Sequence, residues 1–272
     1  MLTRSEVRDA AASHGLEPWA DELAQAAQVA WALQPVGAED ARARSRIGGQ
    51  PLLTGEDQWP ADEHGVRMTL LAVIDLDEVP AVPPGWDDAP FSGRDGSGEV
   101  LQIFADLRDN PIGVGRAAAV ISAGTVGPAE ASPERTEVLA EHRVRLASAL
   151  TLPETWVGIR DSQWDMSSKP AADFQRWFDT LVPDVGLDQM LGGHPRSLQD
   201  DVRVSAAFNA YHFFADHHDV TEPEAWTSLL RLSGDEALGI DIGDEDWRSV
   251  LVPKVDLDAG SWDRLICVPE SS

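Results

Sequence analysis

Cysteine occurs once, at Cys267, so an intrachain disulfide is excluded and no oxidising compartment is implied. That thiol lies in "DRLICVPE", a strand-like run with no histidine close in sequence, which reads as buried and inert. Lysine is nearly missing: Lys169 and Lys254 are the two lysines among 21 basic residues. No apolar run approaches the roughly 20 residues that a membrane-crossing helix needs. The opening "MLTRSEVRDAAASHG" lacks the apolar centre of a secretory signal, so the expected location is the cytoplasm, away from any membrane. The sequence also lacks Gly-x-Ser-x-Gly, His-Glu-x-x-His and Cys-x-x-Cys, which weakens the case for hydrolase, zincin or dithiol chemistry.

What the chain has in excess is negative charge. Against its 21 bases stand 47 acids, a formal net charge of -26. Residues 1–136 hold 22 acids and 10 bases, and residues 137–272 hold 25 and 11, so the acidity is global and not a tail. Such a surface repels nucleic acid, phosphorylated ligands and anionic membranes, and attracts basic partners. The plainer role of the same charge is solubility.

The apolar pattern places helices and strands in mixed order. Thr3 and Glu6 fit a capping box, and Gly15 fits a helix stop. "EPWADELAQAAQVAWAL" sets Trp19, Leu23, Ala26, Ala27 and Ala30 near one helical face, ending before Pro35. "RTEVLAEHRVRLASAL", "AADFQRWFDTLV" and "DVRVSAAFNAYHFFADHHD" also read as helices, and "PETWVGIRDSQW" as an extra strand. "TLLAVIDL", "VLQIFADL", "SVLVPKVDL" and "DRLICV" are apolar runs of strand length bounded by Gly, Pro and Asp. Pro253 predicts an edge or a bulge in its strand.

Four blocks recur in one order. "IGGQP" at Ile47 matches "LGGHP" at Leu191, and "MTLLAVIDLDE" at Met68 matches "WTSLLRLSGDE" at Trp226. "VLQIFADL" at Val100 matches "VLVPKVDL" at Val250, and "RAAAV" at Arg116 matches "RLICV" at Arg264. The expected fold is therefore α+β: a diverged tandem duplication of an antiparallel-sheet unit with flanking helices. Its divisions are an N-terminal helical segment 1–40, a first half 41–136, a helical connector 137–186 and a second half 187–272, in one compact domain. Gly48 and Gly49, with Pro51, are expected to form a positive-φ turn or a close backbone approach, as are Gly192 and Gly193 with Pro195. A phosphate-cradling loop would want the Lys and Ser/Thr of a P-loop or three glycines, which neither turn has.

"SRIGGQPLLTGEDQWP", "MTLLAVIDLDEVP", "GEVLQIFADL" and "LGGHPRSLQDD" resemble the DUF1963, or YwqG-like, family over about residues 40–272. Its first motif places Gly-Gly-x-Pro before Trp-Pro, and its second keeps Pro195, Gln199 and Asp200. Asp188 stands where the family has His, Gly193 where it has Tyr, and "IGDED" only echoes its Trp-Gly-Asp turn. The resemblance implies a duplicated α+β unit without an established enzyme activity. It also implies an association with secreted polymorphic toxins, for which some members serve as immunity proteins.

Candidate chemistry is sparse. His212, Asp216, His217, His218 and Asp219 crowd one stretch, but without zincin spacing they read as helix-end residues, where His favours the dipole. Asp241, Asp244, Glu245 and Asp246 form one acidic patch without EF-hand spacing, either a solvated turn or a contact for a basic partner. Glu56, Asp57, Asp62 and Glu63 form another, with Trp59 either an aromatic anchor or a core residue. No metal or cofactor is expected. The expected function is a non-enzymatic, immunity-type protein that binds a basic partner, such as a nuclease toxin, and occludes its substrate cleft. The alternatives are an enzyme with its site near His212–Asp219 or in a cleft between halves, and a scaffold with no toxin partner.

Overall fold

The computed structural model describes the chain except residues 38–39, 41, 54–58, 63, 83, 87–88, 92, 95, 108–113, 124–126, 129–137, 154–168, 182–187, 199–200, 236–246 and 272; of residues 127–128, 169–171 and 181 it describes the backbone. The candidate strand over residues 153–164 therefore lies, beyond Pro153, outside the described residues.

Helix α1 (Arg4–Ala11) opens with the expected capping box: Thr3 Oγ1 accepts the Glu6 N–H, and the Glu6 carboxylate accepts the Thr3 N–H at 2.8 Å. A wider turn ends it through Gly15 at φ +85°, and α2 (Ala20–Ala26) follows. The long helix expected beyond this point is overturned, because Gln28–Pro35 forms strand β1. The helix expected over residues 135–150 is overturned too, because His142–Thr151 is strand β8. Both stretches are rich in helix-forming alanine, but both also alternate. Val29, Trp31 and Leu33 in one, and Val144, Leu146 and Leu150 in the other, are all buried. The two strands pair antiparallel along the whole of β1, Gln28 with Thr151 through Pro35 with Val144. Long-range pairing here outweighs local propensity.

The remaining strands are β2 (Arg46–Ile47), β3 (Leu52–Leu53), β4 (Thr69–Asp75), β5 (Glu99–Ala105), β6 (Gly115–Ala123), β7 (Gly127–Pro128), β9 (Met190–Gly192), β10 (Trp226–Ser233), β11 (Trp247–Pro253) and β12 (Leu265–Glu270). Helices α3 (Lys169–Leu181), α4 (Val202–Phe213) and α5 (Lys254–Ala259) complete the elements. Ten strands close into one antiparallel barrel in the order β1-β8-β2-β4-β5-β6-β12-β11-β10-β9, and β3 pairs with β7 apart from it. Closure leaves the sheet without edges. The expected α+β class holds, and both halves of the sequence share this one sheet. Pro253 is neither on an edge strand nor in a bulge: it ends β11, beyond Leu251, the last residue paired to β12. It faces Trp226 of β10 at the end of that ladder.

The registers on the two sides of the barrel correspond. Arg46 pairs with Val73 and Ile47 with Ala72; adding 144 to the first member and 158 to the second gives the observed pairs Met190–Arg231 and Leu191–Leu230. The β4–β5 ladder shifts register between Leu70 and Ala72, and the β10–β11 ladder shifts at the corresponding place, between Ser228 and Leu230. Ala118–Phe104 and Ile266–Leu251 correspond likewise, which makes Arg116 the counterpart of Arg264 at an offset of 148. The third sequence match is corrected by three residues. Asp75–Val100 corresponds to Ser233–Trp247, so Val100 is equivalent to Trp247, and "KVDL" belongs to α5.

Alternate residues of the strands serve different cores. Leu101, Ile103, Val250, Val252, Leu265 and Cys267 share one cluster with Trp31, which lies inside the barrel. The opposite face is covered separately on each side. Val100 and Phe104 pack with Trp59 and Met68, whereas Leu251, Ile266 and Val268 pack with Val202, Ala206 and Ala210 of α4. The thiol of Cys267 is buried as expected, and burial pushes it up to about 11, so it is protonated and unreactive at neutral pH. Among the described residues no helix is long and apolar enough to cross a membrane.

Candidate functional site

Both Gly-Gly turns adopt left-handed backbone, with φ of +66° and +79° at Gly48 and Gly49 and +72° and +81° at Gly192 and Gly193. At the first, the Gly48 N–H donates to Leu71 O at 2.8 Å and the Gly49 N–H to Leu139 O at 3.0 Å. A Cβ on Gly48 would lie 2.2 Å from Ala140 O. This turn is filled by protein and holds no space for a phosphate. Buried Pro51 follows it, and Arg46 donates to Gln50 O.

The second turn borders a pocket of about 210 Å³, lined among others by Gln28, Gly193, Thr227, Leu257 and, one turn apart on α5, Lys254 and Asp258. A side chain on Gly193 would meet Ala30 Cβ and Thr151 Oγ1, each at 2.7 Å. Burial pulls the Lys254 ammonium below its ordinary value, and nearby Arg203 adds to this against Glu224 and Asp258. His194 lies between the turn and Pro195. Its Nε2 lies 2.6 Å from Ala26 O and so carries the proton, and burial pulls the ring down to about 4. The ring is neutral at pH 7 and tied to a carbonyl.

The His212–Asp219 stretch begins at the end of α4, as its residue types predict. The His212 ring lies 3.7 Å from that of Tyr211, tilted by 39°, His217 Nδ1 contacts Phe214 O at 3.0 Å, and His217 lies 4.9 Å from His218. Asp219 is engaged by Arg264 at 2.7 and 3.0 Å, and the same guanidinium grips Asp256 at 2.6 and 2.8 Å. Arg264 holds the Asp219 carboxyl below the usual range. Among the described residues no three His, Cys, Asp or Glu side chains converge as a metal site.

Of the expected acidic patches, Glu56, Asp57, Glu63, Asp241, Asp244, Glu245 and Asp246 lie outside the described residues. Asp62 accepts the N–H groups of His64 and Val66 at 2.8 and 2.7 Å and so shapes its own turn. Trp59 is buried: its Nε1 donates to Met68 O at 2.8 Å, and the Arg67 guanidinium lies 5.3 Å from its ring. Trp247 is half-buried between Arg231 and Arg196, whose guanidinium carbons lie 4.8 and 5.7 Å from the ring.

A surface that the sequence reading passed over lies on α4. Val202, Ala206, Ala207 and Ala210 face the barrel, while Val204, Phe208 and Tyr211 are 51%, 66% and 50% exposed. Their spacing of four and three residues puts them on one outward stripe. Phe208 and Tyr211 meet edge to face at 5.9 Å. The signal was present in "VRVSAAFNAYHF", whose apolar residues extend well beyond one face. A helix of that kind is ordinarily buried on more than one side.

A search of curated proteins gave no match. The family model described as Domain of unknown function (DUF1963) matches residues 45–269, from the residue before β2 to within β12. The chain belongs to the DUF1963 family.

Proposed function

We propose that this chain is a non-enzymatic binding protein of the immunity type. It acts in the cytoplasm and neutralises a basic protein toxin, such as a nuclease, by laying an acidic face over the toxin's substrate cleft. The observation that carries this reading is the charge: -26 overall, with acids outnumbering bases about twofold in each half of the sequence. At that charge, long-range attraction speeds encounter with a cationic cleft and repels nucleic acid, while buried contacts set the lifetime of the complex. The closed barrel supports this reading as a rigid platform, since rigid surfaces lose less entropy on binding. We also infer that the barrel arose by tandem duplication of a five-strand unit; its support is the recurrence of the register shift at Leu70/Ala72 and Ser228/Leu230.

The test is capture of partners by the tagged full chain from cells that make it, at about 50 and about 500 mM salt. The reading expects one stoichiometric basic protein at low salt, and inhibition of that protein's activity by the purified chain. Recovery of no basic protein, or of one whose activity the chain leaves untouched, contradicts it.

A further inference from the structure

We propose that the outward stripe of α4 is the surface that grips this partner, with Phe208 and Tyr211 as its anchors and a cationic, partly apolar protein segment as its occupant. The inference rests on the binding-protein reading above and adds the contact face.

The stripe is costly to leave bare. Phe208 is 66% exposed, the highest value among the exposed large hydrophobic residues described. Tyr211 is the chain's single tyrosine and is half exposed, although Trp31, Trp86, Trp177 and Trp226 are fully buried in the cores. The aromatic surface is continuous. Phe208 meets Tyr211 at 5.9 Å, and Tyr211 meets His212 at 3.7 Å and His217 at 6.5 Å. Adjacent aromatic rings on a rigid helix bring large contact area at low entropic cost, the pattern of interface anchors.

Charge identifies the occupant. Two arginines flanking α4 are already paired: Arg203 with Asp201 at one end, and Arg264 with Asp219 and Asp256 near the other. Asp216 is exposed beside His217, and the helix points its negative C-terminal end toward Tyr211 and His212. An arginine or lysine reaching this end meets ring faces, a carboxylate and the helix dipole together. A second copy of this chain would bring another -26 charges to the same place, so self-association is disfavoured. Nucleic acid is disfavoured by the same charge, although its bases would stack on such rings.

The experiment places a photo-reactive benzophenone side chain at Phe208, and in a parallel protein at exposed Val138, near the first Gly-Gly turn. Both are irradiated with the basic protein fraction of cells that make the chain. The expected result is a cross-link from position 208 to one basic protein, on an Arg- or Lys-containing peptide, and none from position 138. Against that isolated protein, F208S/Y211S should bind roughly thirtyfold more weakly or worse, with an unchanged thermal unfolding curve. Because Tyr211 is the only tyrosine, its protection from nitration in the wild-type complex reports the same face without any substitution. A cross-link to a second copy, equal cross-linking from both positions, or unaltered nitration overturns the proposal. If F208S/Y211S holds the basic partner at wild-type affinity, this face is wrong while the binding reading stands. If the wild-type chain binds no basic protein, both fail.

Discussion

The Ser233 N–H donates to Gln189 Oε1 at 3.0 Å, and Gln189 Nε2 returns a bond to Ser233 O at 2.8 Å. The other side of the barrel has the corresponding link: the Asp75 N–H donates to Ser45 Oγ, also at 3.0 Å. In each case the residue just before the short strand binds the last residue of the long one. All four residues are buried. Gln189→Ala would strand the Ser233 N–H away from water, so we expect a loss of about 1–3 kcal/mol in urea unfolding. Ser45→Ala should fall in the same range, because it removes the acceptor of Asp75 and the Oγ–H bond to Glu78. A change below about 0.5 kcal/mol in both would show that these links contribute little.

The two families of glycine separate by substitution. Gly48→Ala forces a Cβ to 2.2 Å from Ala140 O at a φ of +66°. The obstacle is a backbone carbonyl just before β8, so we expect a loss of about 3 kcal/mol or more. Gly65 has a similar φ of +75° but open space around its Cβ position, so Gly65→Ala should cost only about 1 kcal/mol. Thermal and urea unfolding of both variants measure the difference, and equal losses would refute the close approach.

His194 makes stability depend on pH in a defined window. Its folded value of about 4 lies below the ordinary 6.5, so the unfolded chain binds the proton first as pH falls. The contribution is therefore fully present above pH 6.5 and is lost as pH falls toward 4. At about 1.4 kcal/mol per unit, discounted for a ring that is only partly buried, the loss is on the order of 2–3 kcal/mol. His194→Gln can still donate to Ala26 O but does not titrate. The wild-type minus variant stability should rise with pH between about 4.5 and 6.5 and level off above. A flat difference would contradict the assignment.

The legible parts of the fold were those whose local pattern agrees with their long-range fate. The all-buried run Thr69–Asp75 and the apolar Leu265–Glu270 are strands by composition alone, and α4 declares itself through its alanines. β1 and β8 were not legible in this way, because Ala, Arg and Leu favour a helix until the antiparallel partner is counted. Barrel closure was also hidden, since it depends on β6 meeting β12, whose paired residues Ala117 and Leu265 lie far apart in sequence. At the candidate site, charge was readable and orientation was not. The sequence places Phe208 and Tyr211 on a helix, but only the packing of Ala206 and Ala210 on β11 and β12 shows which side faces out.

Electrostatic docking is the central claim, and the association rate with the captured basic partner tests it most directly. The rate constant should be followed by stopped flow from about 20 to about 500 mM salt. The account predicts a fall of at least about tenfold, with the dissociation rate changing far less. An association rate that is independent of salt would contradict it.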